Sequence, residues 1–384
     1  MRGAWILVGC LLMGGFFACG PGTGGRGVEV ESIDGVEYVH NPADPIQAVA
    51  VPRFEEDLAI EAEDGDGNIR FYRPAALLVD REDNIYVADY RDAVIHVFDP
   101  DGEYMRTIGR KGQGPGENQV ITQMAWLPDE RLLVFDHRSR RSSLFNRRGA
   151  FLSSHPWTQS HFLLFWAEES GYLAEETVFG EEPTLMVKKF DWEGKEIETW
   201  GEFHPYRMHV ERSGGSAISI GIPYAPQSIF AGDGERGRLY HCFNRSYRIE
   251  VYDGPGRLTR VIDRPYRPVP FTAEDAEEYY ASVDRRNNPS FSELARKVDL
   301  PEKKTVTDGI MVDDLGFLWV KTQETRERDG ITLRAYDGFD PDGCYQFRVW
   351  LEFTPGLIVR GRMYRVHHDE ETGFASVKRY RVIR

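Results

Sequence analysis

The densest cluster of groups that could do chemistry is VHHDEE, Val366 to Glu371, which combines residue types that hold divalent metals. The segment alternates as a strand, so the adjacent His367 and His368 project to opposite faces and do not readily share one ion. DGDGN, Asp64 to Asn68, begins like a calcium loop, but Ile69 stands where glycine is needed and no glutamate follows at the right spacing. It reads as a turn. GQGPGE lacks the Lys–Ser/Thr pair of a phosphate loop, and no helix follows it. No Gly-x-Ser-x-Gly elbow occurs, so a serine nucleophile has no motif behind it. These patterns give no catalytic residue, no metal ligand and no cofactor.

The elements that would position any site are clearer. An aromatic residue, Asp or Asn, two residues and Gly recur as FDPDG at Phe98, FNRRG at Phe145, FDWEG at Phe190 and YDGPG at Tyr252, with a stretched YDGFDPDG from Tyr336. Each follows an alternating strand such as VIHVF or YRIEVY and precedes another. The aromatic ends a strand facing inward, and Gly takes the positive-φ position of the turn. Upstream lies an apolar strand, an acidic turn and a second strand: ALLVDREDNIYVAD (Ala76 to Asp89) aligns without a gap with GIMVDDLGFLWVKT (Gly309 to Thr322). MAWLPDERLLVFD is a third copy, and LLFWAEESGYLAEE and SIFAGDGERGRLYHCF are looser ones. Together they make five four-stranded units. The C-terminus supplies about three strands of a sixth.

Repeated four-stranded sheets predict an all-β fold, a six-bladed β-propeller of antiparallel blades, whose incomplete last blade is closed by an N-terminal strand. Either Gly27 to Asn41 or Asp57 to Glu63 could provide that strand and remove the exposed edges. Residues 28–384 then form a single propeller, with a helical insertion at 264–307 between blades four and five. In it, TAEDAEEYYASVDRR has Thr272 as N-cap with Asp275 three residues on, and PSFSELARKV opens a second helix at Pro289. These helices would sit over the channel mouth, as a lid over a pocket or as a cap over the core.

The stretch NIYVADYRDAVIHVFDPDGEYMRTIG followed by GQGPGE resembles the NHL-repeat class of six-bladed propellers, and in particular bacterial propeller lipoproteins. The resemblance spans essentially the whole chain after the N-terminal apolar segment, with the third and fourth units the poorest matches. It implies a fold that hosts lyases, lactonases, receptors and scaffolds alike. Enzymes of this fold commonly hold a metal in the channel near the innermost strands, which VHHDEE, ending a second strand, does not line. In similar blades an Asp ending the second strand, here Asp89 or Asp136, pairs with a basic residue of the next loop.

Propeller geometry places the inter-blade connections on one face with the loops joining second to third strands. The long connections fall there, and so do arginines: Arg73, Arg91, Arg138, Arg140, Arg245 and Arg326. Against a net charge of −15 they could form a ring for carboxylate, sulfate or phosphate, or pair structurally within the blades. Polar residues entering the innermost strands, namely Arg73, Gln123, His161, Gln227 and Asp308, should reach the channel mouth. The candidate ligand-binding set is therefore Arg73, Arg91, Gln123, Arg138, His161, Gln227, Arg245 and Asp308, and its mixed chemistry favours binding over catalysis. The expected partner is an anionic small molecule, a glycan or a protein. A metal-dependent lyase or hydrolase acting in the channel is the alternative.

The acidic balance argues against nucleic acid and against polybasic adhesion to lipid, while 41% hydrophobic and 12% aromatic content suffices for a core. The N-terminus has one charge at Arg2, then an apolar run to Ala18 of signal-peptide length. FFAC before GPGTGG resembles a bacterial lipoprotein signal, although Phe16 stands where Leu is usual. LVGC at Leu7 to Cys10 fits that consensus better but leaves almost no apolar region before it. The expectation is a signal over 1–18, a lipidated Cys19 and a glycine-rich tether to Gly27. Gly20 is not Asp, which by resemblance to enterobacterial sorting rules implies the outer rather than the inner membrane of the cell envelope. Cys242 and Cys344 are expected to pack as small buried hydrophobes.

Overall fold

A computed structural model describes residues 27–63, 71–157, 161–178, 183–213, 216–285, 288–369 and 373–384, with the side chains of residues 161, 162, 213 and 216 left aside. Cys19, the signal segment, the DGDGN turn, Glu370 and Glu371 lie outside the described residues.

The fold is a six-bladed propeller. Blade one comprises Pro74–Val79, Ile85–Asp89, Val94–Phe98 and Tyr104–Ile108, and blade two Ile121–Trp126, Leu132–Asp136, Arg141–Phe145 and Phe151–Pro156. Blade three follows with His161–Glu168, Gly171–Val178, Thr184–Phe190 and Glu196–Phe203, then blade four with Ser228–Asp233, Arg238–Phe243, Arg248–Tyr252 and Leu258–Asp263. Blade five is Thr307–Val312, Leu318–Arg328, Ile331–Phe339 and Tyr345–Leu351. Leu357–Val359, Arg362–His368 and Ala375–Ile383 make three strands of blade six, and Arg53–Glu61 is its outer fourth.

Burial explains why the second strands are continuously apolar rather than amphipathic. In IYVAD, Ile85 and Val87 face blade six while Tyr86 and Ala88 face blade two. Leu132 and Val134 likewise join the seam with blade one, and Leu133 and Phe135 the seam with blade three. One apolar cluster fills each of the six seams, including that between blades six and one, where Val377 packs with Phe98 and Ile60. Each fully buried aliphatic or aromatic side chain contributes about 1.5–3 kcal/mol.

The recurrent turns follow their residues. Asp99 Oδ1 accepts from the backbone N–H of Asp101 and Glu103, both at 2.9 Å, and Gly102 sits at φ 84°. Asn146, Asp191 and Asp340 repeat the arrangement with Gly149, Gly194 and Gly343. The aromatics before them, Phe98, Phe145, Phe190 and Phe339, are all buried.

Of the two candidate closing strands, Arg53–Glu61 closes the ring, zipped to the C-terminal strand by Lys378–Glu56 at 3.2 Å, Arg379–Asp57 at 2.9 Å and Arg381–Glu55 at 3.0 Å. The other segment forms a hairpin, Glu29–Ile33 with Val36–His40, that runs parallel to Leu258–Asp263 and extends blade four to six strands. Asn41 then ties this edge to blade five, donating to Gly343 O at 2.9 Å and accepting from Tyr345 N at 2.7 Å. Cys242 is a buried free thiol, and Cys344 is buried as well.

Candidate functional site

The loop-rich face is organised by side chains that hold backbone. Asp89 Oδ2 accepts from the N–H groups of Tyr72 and Arg73 in the incoming connection, and its Oδ1 from Arg91 N at 2.7 Å and Asp92 N at 3.0 Å. Asp136 holds Gln119 N, Val120 N and Ser139 N at 2.8, 3.0 and 3.1 Å. Asn244 does the same in blade four, accepting from Gln227 N at 2.8 Å and donating to Thr307 O at 2.9 Å. The carboxylates thus bind peptide N–H groups, and the expected pairing of Asp89 and Asp136 with a basic side chain is not what the structure shows. Buried N–H donors need partners, and a fixed carboxylate supplies several at once.

The arginines are handled differently. Arg73 lies over the Tyr90 ring at 4.7 Å and Arg91 over the Tyr72 ring at 4.1 Å, a crossed pair of cation–π contacts at the rim of blade one. Arg326 stacks on Trp350 at 4.6 Å. Gln123 Oε1 accepts from Leu164 N at 2.9 Å, joining the innermost strands of blades two and three. Asp308 pairs with Lys321 at 3.1 Å and Arg334 at 3.7 Å within blade five. Arg138 is exposed, and His161 heads the innermost strand of blade three, its side chain outside the description. Gln227 and Arg245 line one cavity. The eight candidates therefore spread over several environments, and those two come together.

That cavity, about 1450 Å³, lies between blades three and four beside a hairpin, Met208–Ser213 with Ser216–Gly221. Helices α1 (Ala273–Asp284) and α2 (Pro289–Ala295) hold the hairpin from outside. Thr272 and Asp275 form a reciprocal capping box, and Pro289 opens α2 as the sequence predicts. Ile220, Val283, Leu294 and Val298 make a separate small core between hairpin and helices, and Tyr279 Oη donates to Gly221 O at 3.2 Å.

The lining is mixed in a particular way. Tyr206, Met208 and Val210 are 45%, 48% and 42% exposed, a concentration of apolar side chains at one rim. Arg207, Arg212 and Arg245 also line the cavity, and none has a hydrogen-bond or ion-pair partner among the described residues. The His204 ring lies 4.4 Å from that of Phe243. Glu175, on the second strand of blade three, is half-buried without a partner among the described residues, and desolvation pushes its carboxyl up to about 7.

One further set was not visible in the sequence. Ser228 Oγ, in the cavity wall, lies 3.0 Å from His241 Nε2, and His241 Nδ1 lies 3.1 Å from Glu250 Oε2. His241 packs against the rings of Phe203 and Phe230 at 4.5 and 5.1 Å. Its bond to Glu250 holds that carboxylate below the usual range, with Tyr252 Oη donating to the same oxygen at 2.9 Å. The three residues sit on three neighbouring strands, and the cross-strand register that aligns His241 with Glu250 carries no motif. Among the described residues no group of three or more His, Cys, Asp or Glu is arranged to hold a metal ion. His367 instead contacts Arg365 at 3.4 Å.

Comparison with known proteins supports the architecture. A family model, DUF5128, described as a 6-bladed beta-propeller, matches residues 75–141, which cover blade one and the first two strands of blade two. A protein from Bacteroides fragilis described as exported is similar in structure at 11% identity, TM-score 0.52, covering 90% of this chain and all of that one. A DUF4221 member from Bacteroides vulgatus gives 10% identity and TM-score 0.47 over 86% of this chain and 98% of that one. The virginiamycin B lyase of Staphylococcus aureus gives 8% and 0.43 over 87% and 100%. No curated protein matches the chain. At 11% identity the likeness to the Bacteroides fragilis protein concerns the fold alone.

Proposed function

We propose that the chain is an exported, lipid-anchored propeller that binds an anionic, ring-bearing small molecule or glycan segment in the cavity between blades three and four. The observation that carries this reading is the unpartnered trio Arg207, Arg212 and Arg245 around an apolar lining, in a chain of net charge −15. Guanidinium groups held without an internal carboxylate are free to take one from a ligand, and Tyr206, Phe203 and Phe243 offer faces for a ring. Glu175 in its neutral form adds a donor. The test is calorimetric titration with a glucuronate-containing oligosaccharide, an aryl carboxylate and their neutral counterparts. Selective binding of the acids that is lost in Arg245→Glu and Arg212→Glu supports the reading. Equal affinity for neutral ligands, or charge-reversed variants that bind as before, overturns it.

The export and anchoring half of the reading rests on the N-terminal signal pattern and on the exported relative. Labelled palmitate should enter the chain in a bacterial host and be lost in Cys19→Ala. Labelling that survives that substitution removes the anchor from the proposal.

A further inference from the structure

The cavity wall holds three groups in the order that activates a hydroxyl: Ser228 Oγ, His241 and Glu250, separated by 3.0 and 3.1 Å. Carboxylate, imidazole and hydroxyl within bonding reach, on rigid strands, form the arrangement by which a weak nucleophile is deprotonated as it attacks. The hydrogen bonding fixes the direction of the chain. Glu250 is an ionised acceptor, so His241 Nδ1 carries the hydrogen it shares with it, and Nε2 is then the acceptor for the Ser228 hydroxyl. Ser228 Oγ also accepts from His204 N at 3.1 Å, which pins the oxygen and leaves it one lone pair for attack. Burial separates this set from an ordinary surface network: Ser228 is 8% and His241 6% exposed, yet Ser228 opens on a cavity of about 1450 Å³.

We propose that Ser228 is the nucleophile of an ester- or lactone-cleaving site, with His241 as general base and Glu250 as the residue that positions it. In the first step a bond forms between Ser228 Oγ and the substrate carbonyl carbon, and the hydroxyl proton passes to His241 Nε2. The bond to the leaving oxygen then breaks, and that oxygen takes the proton as the alcohol departs. Water repeats the sequence on the acyl-serine, releasing a carboxylic acid and restoring the hydroxyl, so ester and water give acid and alcohol. Gln227 and Arg245 supply the polar groups of the same wall for the carbonyl oxygen. That the substrate acid also carries a negative charge rests on the binding reading above. The Ser228 chemistry does not.

The test treats the full chain with a small alkyl fluorophosphonate, which forms an Oγ–P bond with loss of fluoride, and locates the adduct by peptide mass spectrometry. The expected result is an adduct on Ser228 whose formation slows about 100-fold or more in His241→Gln, the usual size of a general-base contribution. Glu250→Gln should slow it as well. No adduct on Ser228 in the folded wild type overturns the proposal, as does a His241→Gln variant, folded by circular dichroism, that labels at the wild-type rate. Labelling that fails while Arg245→Glu still abolishes acid binding refutes the nucleophile alone; intact labelling without acid binding refutes the binding reading alone.

Discussion

At the scale of single residues, the cavity is a place where charge has been left without its usual compensation. Glu175 shows the cost. Its carboxyl is pushed up to about 7 by desolvation, above the ordinary 4.5, so folding favours the neutral acid. A carboxyl raised in this way contributes stability that is fully present below about 4.5 and is lost as pH rises through about 7. Glu175→Gln should therefore raise the melting temperature at pH 8 and leave it nearly unchanged at pH 4.5, measured by calorimetry; equal shifts at both pH values would remove the desolvation account. Asp337 shows the opposite solution. It is fully buried yet held below the usual carboxylate range because it accepts from Arg264, Arg348, Tyr247 and Tyr345 at 2.6–2.8 Å. Neither environment was readable beforehand, since Glu175 is set by burial in the folded blade and Asp337 draws Tyr247 and Arg264 from 90 and 73 residues away. Asp337→Ala would leave the buried Arg264 without its carboxylate, Arg348 keeping Glu324, and cost about 3–5 kcal/mol in urea denaturation.

At the scale of elements, the sequence was most informative where a structure is closed within a few residues. The aromatic–Asp–x–x–Gly turns announced themselves because one Asp satisfies two backbone N–H groups and one Gly takes φ near 85° at Gly102 and Gly343. Side-chain convergence across strands left no such trace. Ser228, His241 and Glu250 are brought together by register, and Gln123 reaches Leu164 across a seam between blades. The N-terminal hairpin lies between these extremes, legible as a strand-forming segment but not as a hairpin that extends blade four. Its anchor is titratable: the hydrogen bond to Asp263, with Glu31 assisting against desolvation, raises His40 above 6.5. That contribution is complete below about 6.5 and is lost as pH rises through the folded value. Hydrogen exchange over Val36–His40, corrected for intrinsic rate, should accelerate between pH 6 and pH 8.5 in wild type and lose that pH dependence in His40→Ala.

At the scale of the whole molecule, a propeller is only as stable as its closure, because each blade buries its two faces against neighbours and has no core of its own. Arg53–Glu61 completes blade six from the far end of the chain, so the seams on both sides of that blade depend on one long-range pairing. Ile60, 1% exposed, sits in the seam between blades six and one with Phe98 and Val377. Truncating it to alanine should cost about 2–5 kcal/mol. If the ring unfolds as a unit, that loss appears everywhere: exchange protection in blade three, on the opposite side, falls by the same free energy as protection in blade six. If blades open independently, blade three keeps its protection while blades six and one lose theirs. Six continuous seams and buried second strands favour the first outcome, since releasing the closing strand exposes two apolar faces at once. The cavity between blades three and four would then be held in shape by a strand that never touches it. Ile60→Ala should weaken ligand binding only near its melting temperature, and in parallel with unfolding, whereas Arg245→Glu weakens it throughout the folded range.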